Sequence, residues 1–147
     1  KGQLSRNVRF PQVTVTCDGN EVVISTESRR KEITAMVGTL EAHTKNMFRG
    51  VTEGYEYRMK VVFSHFPIQL KLQGSRLEIA NFLGEKKSRH ARIEPGVTAK
   101  VGNDEVVLTG IDRELVGTTA ANIEHATHIR DRDPRVFQDG IYMVQRG

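Results

Sequence analysis

The chain has 147 residues, 37% hydrophobic and 27% charged, with a net charge of +4 and a pI near 9.4. No apolar run approaches the roughly 18 residues of a membrane span and no signal-peptide pattern opens the chain, so the composition predicts a soluble intracellular protein. The single cysteine, Cys17, excludes an internal disulfide and a multi-cysteine zinc site, and reads as a plain small residue at a hairpin end.

From Val13 the chain reads VTVTCDGNEVVIS, a strand-like stretch, and a helix follows Ser28 with Ile33, Val37, Leu40, Thr44 and Met47 on one side. Val61 to Phe63, Ile68 to Leu72 and Leu77 to Ile79 are apolar or alternating runs. They are broken by His65-Phe66-Pro67 and Gln73-Gly74-Ser75 and read as consecutive antiparallel strands. Glu85 to Ile93 is a fourth strand, and Val97 to Val101 with Glu105 to Thr109 forms a hairpin about Gly102-Asn103-Asp104. The second helix starts after Asp112, a good N-cap, and carries Leu115, Val116, Ala120, Ile123 and Thr127 on one side.

The chain repeats itself. VTVTCDGNEVVIS returns from Val97 as VTAKVGNDEVVLT, and GTLEAHT at Gly38 to Thr44 returns as ANIEHAT at Ala121 to Thr127. The basic lead-in Ser5-Arg6-Asn7-Val8-Arg9-Phe10 is matched by Ser88-Arg89-His90-Ala91-Arg92-Ile93, and Glu53-Gly54 by Asp139-Gly140. A period of roughly 83 to 86 residues is too long for a stacked solenoid and suits two small domains of one design. The expected fold is α+β: two tandem copies of a small antiparallel sheet with one packed helix, over residues 1–56 and 57–147. Lys1-Gly2 aligns with the region Leu83-Gly84-Glu85, so the first copy lacks two strands, and roughly two dozen further residues are expected ahead of Lys1.

Chemistry is sparse. His125 and His128 stand at i, i+3 with no third ligand in sequence, and the segment Asn81 to Lys87 lacks the spacing of a phosphate-cradling loop. No serine sits in a nucleophile elbow and no carboxylates pair inside an apolar frame. The chain is expected not to be an enzyme and to need no metal, cofactor or small-molecule substrate.

Two segments resist a purely structural reading. Lys86-Lys87-Ser88-Arg89-His90-Ala91-Arg92 falls where a strand is expected and would project basic groups from both faces, so it reads as an edge that stays in water or meets a polyanion. Arg130 to Met143 cannot continue the helix because of Pro134, and it carries arginines on a short protrusion with Phe137 and Tyr142 to anchor it or stack. Lys and Arg outnumber Asp and Glu 8 to 7 before Arg58 and 14 to 11 from there on, so an anion site must be local.

The run Ile79-Ala80-Asn81-Phe82-Leu83-Gly84-Glu85-Lys86, the pattern Arg132-x-x-Arg135-x-Phe137-x-Asp139-Gly140-Ile141-Tyr142-Met143, and Asn46 to Gly54 in the first copy resemble the L6 family of large-ribosomal-subunit proteins, in its archaeal and eukaryotic branch. The resemblance covers essentially the whole chain. It implies a cytoplasmic, ribosome-bound structural protein that contacts large-subunit ribosomal RNA near the elongation-factor site and sarcin-ricin loop, chiefly through its C-terminal domain, with neighbouring ribosomal proteins as partners. On matching positions it points to Lys86, Arg132, Arg135 and the turn ending in Tyr142; Lys87, Arg89, Arg92 and Arg146 join them on electrostatic grounds. A free-standing nucleic-acid-binding or protein-interaction adaptor of the same duplicated design is the alternative.

Overall fold

The computed structural model describes residues 2–7, 12–64 and 66–147. The elements run β1 (Val13–Asp18), β2 (Glu21–Thr26), α1 (Lys31–Thr52), β3 (Tyr55–Val62), β4 (Gln69–Gln73), β5 (Arg76–Ala80), a 3-10 turn (Phe82–Gly84), β6 (Arg89–Arg92), β7 (Thr98–Val101), β8 (Glu105–Gly110), α2 (Arg113–Ala126) and β9 (Gly140–Arg146). The class is α+β, with three antiparallel sheets in the orders β1-β2, β7-β8-β3-β9 and β4-β5-β6. Hairpin then helix occurs twice, as β1-β2-α1 and as β7-β8-α2. The repeated basic lead-in falls partly on residues 8–10, outside the described residues, as does His65 of the predicted break.

Helix α2 forms where its sequence pattern puts it. The Asp112 carboxylate accepts the Glu114 N–H at 2.9 Å, and Val116, Ala120, Ile123 and Thr127 are all buried. That stripe packs against the inner faces of both large sheets. Tyr55, Tyr57, Met59 and Val61 point inward from β3, Val106 and Leu108 from β8, Leu77 and Ile79 from β5, and Phe82 from the 3-10 turn. Each such side chain contributes roughly 1.5–3 kcal/mol by leaving water.

The pairing differs from the expected run of consecutive strands. β3 begins at Tyr55 instead of Val61, ends before Phe63, and pairs with β8 and β9 and not with β4. Its strict alternation of buried aromatic or apolar residues with exposed Glu56, Arg58 and Lys60 suits a central strand with one face in the core. The end of the chain, Gly140–Arg146, forms β9, an edge strand beside β3. The fourth strand is shorter than read, Arg89–Arg92, because Lys86 and Lys87 lie on a bend before it; it is indeed a sheet edge.

The first copy is more thinly packed. Its sheet has two strands, Val15 and Val23 are each 44% exposed, and of the expected α1 stripe Leu40 is buried while Ile33, Val37, Thr44 and Met47 are half-buried. What seats α1 on the second copy is the absence of a side chain. Gly50 is buried, and a Cβ there would fall 1.9 Å from the Ile111 carbonyl oxygen, whereas one at Gly38 on the same helix would meet nothing within 4 Å. Gly50→Ala should therefore lower stability by about 1–3 kcal/mol even though alanine is the better helix former, since the obstacle is backbone. Gly38→Ala should raise it by about 0.5–1 kcal/mol. Melting curves of the two variants check this, and equal shifts would mean that α1 does not approach Ile111 so closely.

Candidate nucleic-acid interface

Two loops at one end of the second copy carry most of the predicted basic residues. The first joins β5 to β6 and is pinned from inside: Phe82 is 0% and Leu83 5% exposed. Asn81 and Leu83 both hold left-handed backbone, φ 60° and 54°, a conformation costing roughly 1–2 kcal/mol per residue without a glycine. The Asn81 amide donates to the Pro67 carbonyl at 3.0 Å. From this base Lys86 and Lys87 project into solvent, with no partner among the described residues.

The second loop, between α2 and β9, is fixed at both ends. Thr127 is buried, donates to the Ile123 carbonyl and accepts the Ile141 N–H at 3.1 Å, while buried Asp139 accepts the Ser64 hydroxyl at 3.0 Å. Between the clamps, the Phe137 N–H donates to the Asp133 carbonyl at 2.9 Å and the Arg132 guanidinium lies 5.0 Å over the Phe137 ring. Arg135, its side chain 89% exposed, reaches the Asp133 carboxylate at 3.2 Å. That side-chain bond, and then the Arg135 N–H, hold the Asp133 carboxyl below the usual carboxylate range.

Arg89 joins the two loops. Its Nε and Nη2 donate to the two Glu85 oxygens at 2.9 and 2.7 Å, its Nη1 donates to the Ala126 and His128 carbonyls at 3.0 and 2.9 Å, and its guanidinium stacks 4.5 Å over Phe82. The Arg89 hydrogen bonds lower the Glu85 carboxyl below its ordinary value, burial opposes them, and the charges of Arg89 and Arg132 add to the lowering. Arg132 thus sits within electrostatic reach of Glu85, beside Lys86. Arg89 itself, predicted as an RNA contact, has its donors engaged inside the fold.

The remaining predicted residues scatter. Tyr142 is half-exposed in β9, and its hydroxyl donates to the Gln138 carbonyl at 3.0 Å, bracing the second loop. Arg92 stands at the far end of β6, paired with Arg76 of β5, and Arg146 lies roughly 20 Å along β9 from Gly140, lining the groove between α1 and α2 with His43 and Asn46. Gly140 does not have positive φ; it is buried, and a Cβ there would come 3.0 Å from the Tyr142 hydroxyl. Asp139 of the predicted turn acts from inside, held by Ser64, which the sequence reading passed over together with the role of Glu85 as the Arg89 partner and Arg76, whose proximity to Arg92 emerges only from the strand register.

A family model described as Ribosomal protein L6 matches residues 1–54 and again 66–140. The chain belongs to the ribosomal protein L6 family. It is 62% identical over 146 residues to Large ribosomal subunit protein uL6 of Methanospirillum hungatei, 51% over 146 residues to that of Methanothrix thermoacetophila and 54% over 147 residues to that of Methanocella arvoryzae. Each alignment covers 99% of this chain and 83% of the relative. The L6 family is one of structural ribosomal proteins, so the chain is not an enzyme. The double match agrees with the duplication read from the repeats. Among the described residues no group of three or more His, Cys, Asp and Glu is placed to hold a metal ion, and no helix is long and apolar enough to cross a membrane.

A lowered carboxyl value means that the Glu85–Arg89 pair stabilises the fold above the ordinary glutamate value of 4.5, and that this contribution is lost as pH falls through the lower folded value. Glu85→Gln should cost under about 1 kcal/mol near neutrality, because the pair is partly exposed and screened, with the gap to wild type closing as pH drops below 4.5. Thermal melts across pH 3 to 7 check it; a gap constant with pH would remove the ion pair as the cause.

Proposed function

We propose that the chain is a structural component of the large ribosomal subunit, in the cytoplasm, that binds large-subunit ribosomal RNA near the elongation-factor-binding site and packs against neighbouring ribosomal proteins. The second unit, from residue 57 on, is the main RNA-binding part. Family membership supports the ribosomal role, and the resemblance in the segments Ile79 to Lys86 and Arg132 to Met143 supports the position near the factor site.

The observation that carries the RNA reading is the locking of two basic loops side by side by the Arg89 network. Guanidinium forks and ammonium groups held in fixed positions lose little entropy when they meet phosphate oxygens. The contact set is Lys86, Lys87, Arg132 and Arg135, with Tyr142 as the brace of the second loop. Arg89 acts from inside by holding both loops. For Arg135 binding means exchanging Asp133 for phosphate, which is easy because the pair is exposed and screened by water.

Binding of the full chain to purified large-subunit ribosomal RNA across a salt series tests this. Lys86→Gln/Lys87→Gln should make the log–log salt dependence shallower by about 1.5, two phosphates at roughly 0.7–0.9 each, with melting unchanged. Arg135→Ala should weaken RNA binding by roughly 1–3 kcal/mol, again with melting unchanged. Gly140→Val, by contrast, should lose stability and affinity together, because the valine side chain meets the Tyr142 ring that braces the loop. Unchanged affinity in both charge variants would mean that the loops are solvated surface and not an RNA contact.

A further inference from the structure

The outer face of the β4-β5-β6 sheet holds an arrangement that the loops do not explain. Strand register sets Arg76 directly opposite Arg92, with Gln73 next in the same row, and sets Glu78 between Lys71 and His90 in the row beside it. Side chains directly opposite on neighbouring antiparallel strands have Cβ atoms roughly 4.5–5.5 Å apart, and like charges so placed destabilise a sheet. Arg92 has one weak internal partner, Glu94 at 3.9 Å, and is 71% exposed; Arg76 has no partner among the described residues and is exposed. Ser75, His90 and Ala91 complete a shallow depression around the two guanidinium groups.

We propose that this face is a second phosphate-binding surface, on which Arg76 and Arg92 grip the ribosomal RNA backbone at a place distinct from the loops of the first contact. The inference rests on the RNA-binding reading above and extends it to another face of the same unit. Two opposed arginines in a rigid sheet are costly alone and favourable with a phosphate between their forks, which neutralises the repulsion while accepting several N–H donors. A protein partner fits the face less well. The two rows contain no Phe, Tyr, Trp or large aliphatic side chain to serve as the apolar centre that protein interfaces are built around. Arg92 lies three residues beyond Arg89 on β6, roughly 10 Å away, so its contact is separate from that of Lys86 and Lys87.

The repulsion gives the test its discriminating sign. Arg76→Gln/Arg92→Gln in the full chain should melt at or above the wild-type temperature, because an opposed like-charge pair is relieved. The same variant should bind purified large-subunit ribosomal RNA about ten-fold more weakly at moderate salt, with a log–log salt slope shallower by about 1.5. Combined with Lys86→Gln/Lys87→Gln, the losses should multiply, as for separate sites with no shared partner. RNA affinity within about two-fold of wild type would overturn the proposal, and so would unchanged RNA affinity with lost binding to polyglutamate, which marks an acidic protein partner. A drop in melting temperature accompanying the affinity loss would also overturn it, by making the arginines structural. If the Lys86/Lys87 variant binds normally and the Arg76/Arg92 variant does not, the loop reading fails and this one stands.

Discussion

The second unit depends on the disposition of one guanidinium group. Arg89 lies on an edge strand whose inward row otherwise holds Leu70 and Ile79, so its side chain enters the protein where an apolar residue would be expected. A charge carried into a partly dry site is tolerated only with its donors satisfied. Here a bidentate carboxylate takes two N–H groups, and the carbonyls of Ala126, the last residue of α2, and of His128 just beyond it share Nη1. The Ala126 carbonyl belongs to the negative end of the helix dipole, which favours a cation there as well. Phe82 covers the plane of the group at 4.5 Å. One side chain therefore ties an edge strand, a strained turn and a helix terminus into a single rigid corner.

That corner makes the basic loops useful. Fixing the backbone of one residue costs roughly 1–2 kcal/mol, so a flexible basic tail would bind a polyanion at a large entropic expense. In this fold the ordering takes place during folding: buried Phe82 and Leu83 anchor one loop, and the Thr127–Ile141 and Asp139–Ser64 clamps anchor the other. Of the described non-glycine residues with left-handed backbone, Asn81, Leu83 and Asp131 lie in these two loops, and Gln12 lies just before β1. Strain kept at a site is retained where the surrounding structure over-determines it, and here burial and hydrogen bonds do so. The lysines that emerge need no internal partner because their place is set by what lies beneath them.

How much of this was legible in the sequence depends on the kind of signal. The α2 stripe was plain because four buried positions at helical spacing follow a carboxylate N-cap, a local pattern that the tertiary structure only had to accept. β3 was equally patterned, Tyr55, Tyr57 and Met59 alternating with Glu56, Arg58 and Lys60, yet the continuous apolar run at Val61 to Phe63 drew the strand too far along the chain. β9 was hidden because Ile141-Tyr142-Met143-Val144 falls at the end of the arginine-bearing protrusion, with no partner strand until β3 is known to need a second neighbour. Arg89 could not be told from Lys86 or Lys87 by charge alone. What separates it is register: it faces inward opposite Ile79, and register is a property of pairing that no single strand states.

Duplication shows how the basic protrusion was accommodated. Thr44 and Thr127 are matched residues of the two copies, and each hydroxyl bonds back to the carbonyl four residues earlier. In the first copy the helix continues past Thr44 to Thr52, 22 residues in all, and its far end is where Gly50 lets it lie against Ile111. In the second copy the helix stops after 14 residues, at Ala126, with Thr127 as its C-cap. Downstream, Asp131 takes a left-handed φ of 58° and Pro134 can supply no N–H for a helix, so the chain leaves the helical path and exposes arginines instead. The Thr127 hydroxyl, not needed for a further turn, accepts the Ile141 N–H and returns the chain to the sheet. One helical position thus supports two outcomes, and the residues after it decide between a longer helix that joins the copies and a clamped loop that faces outward.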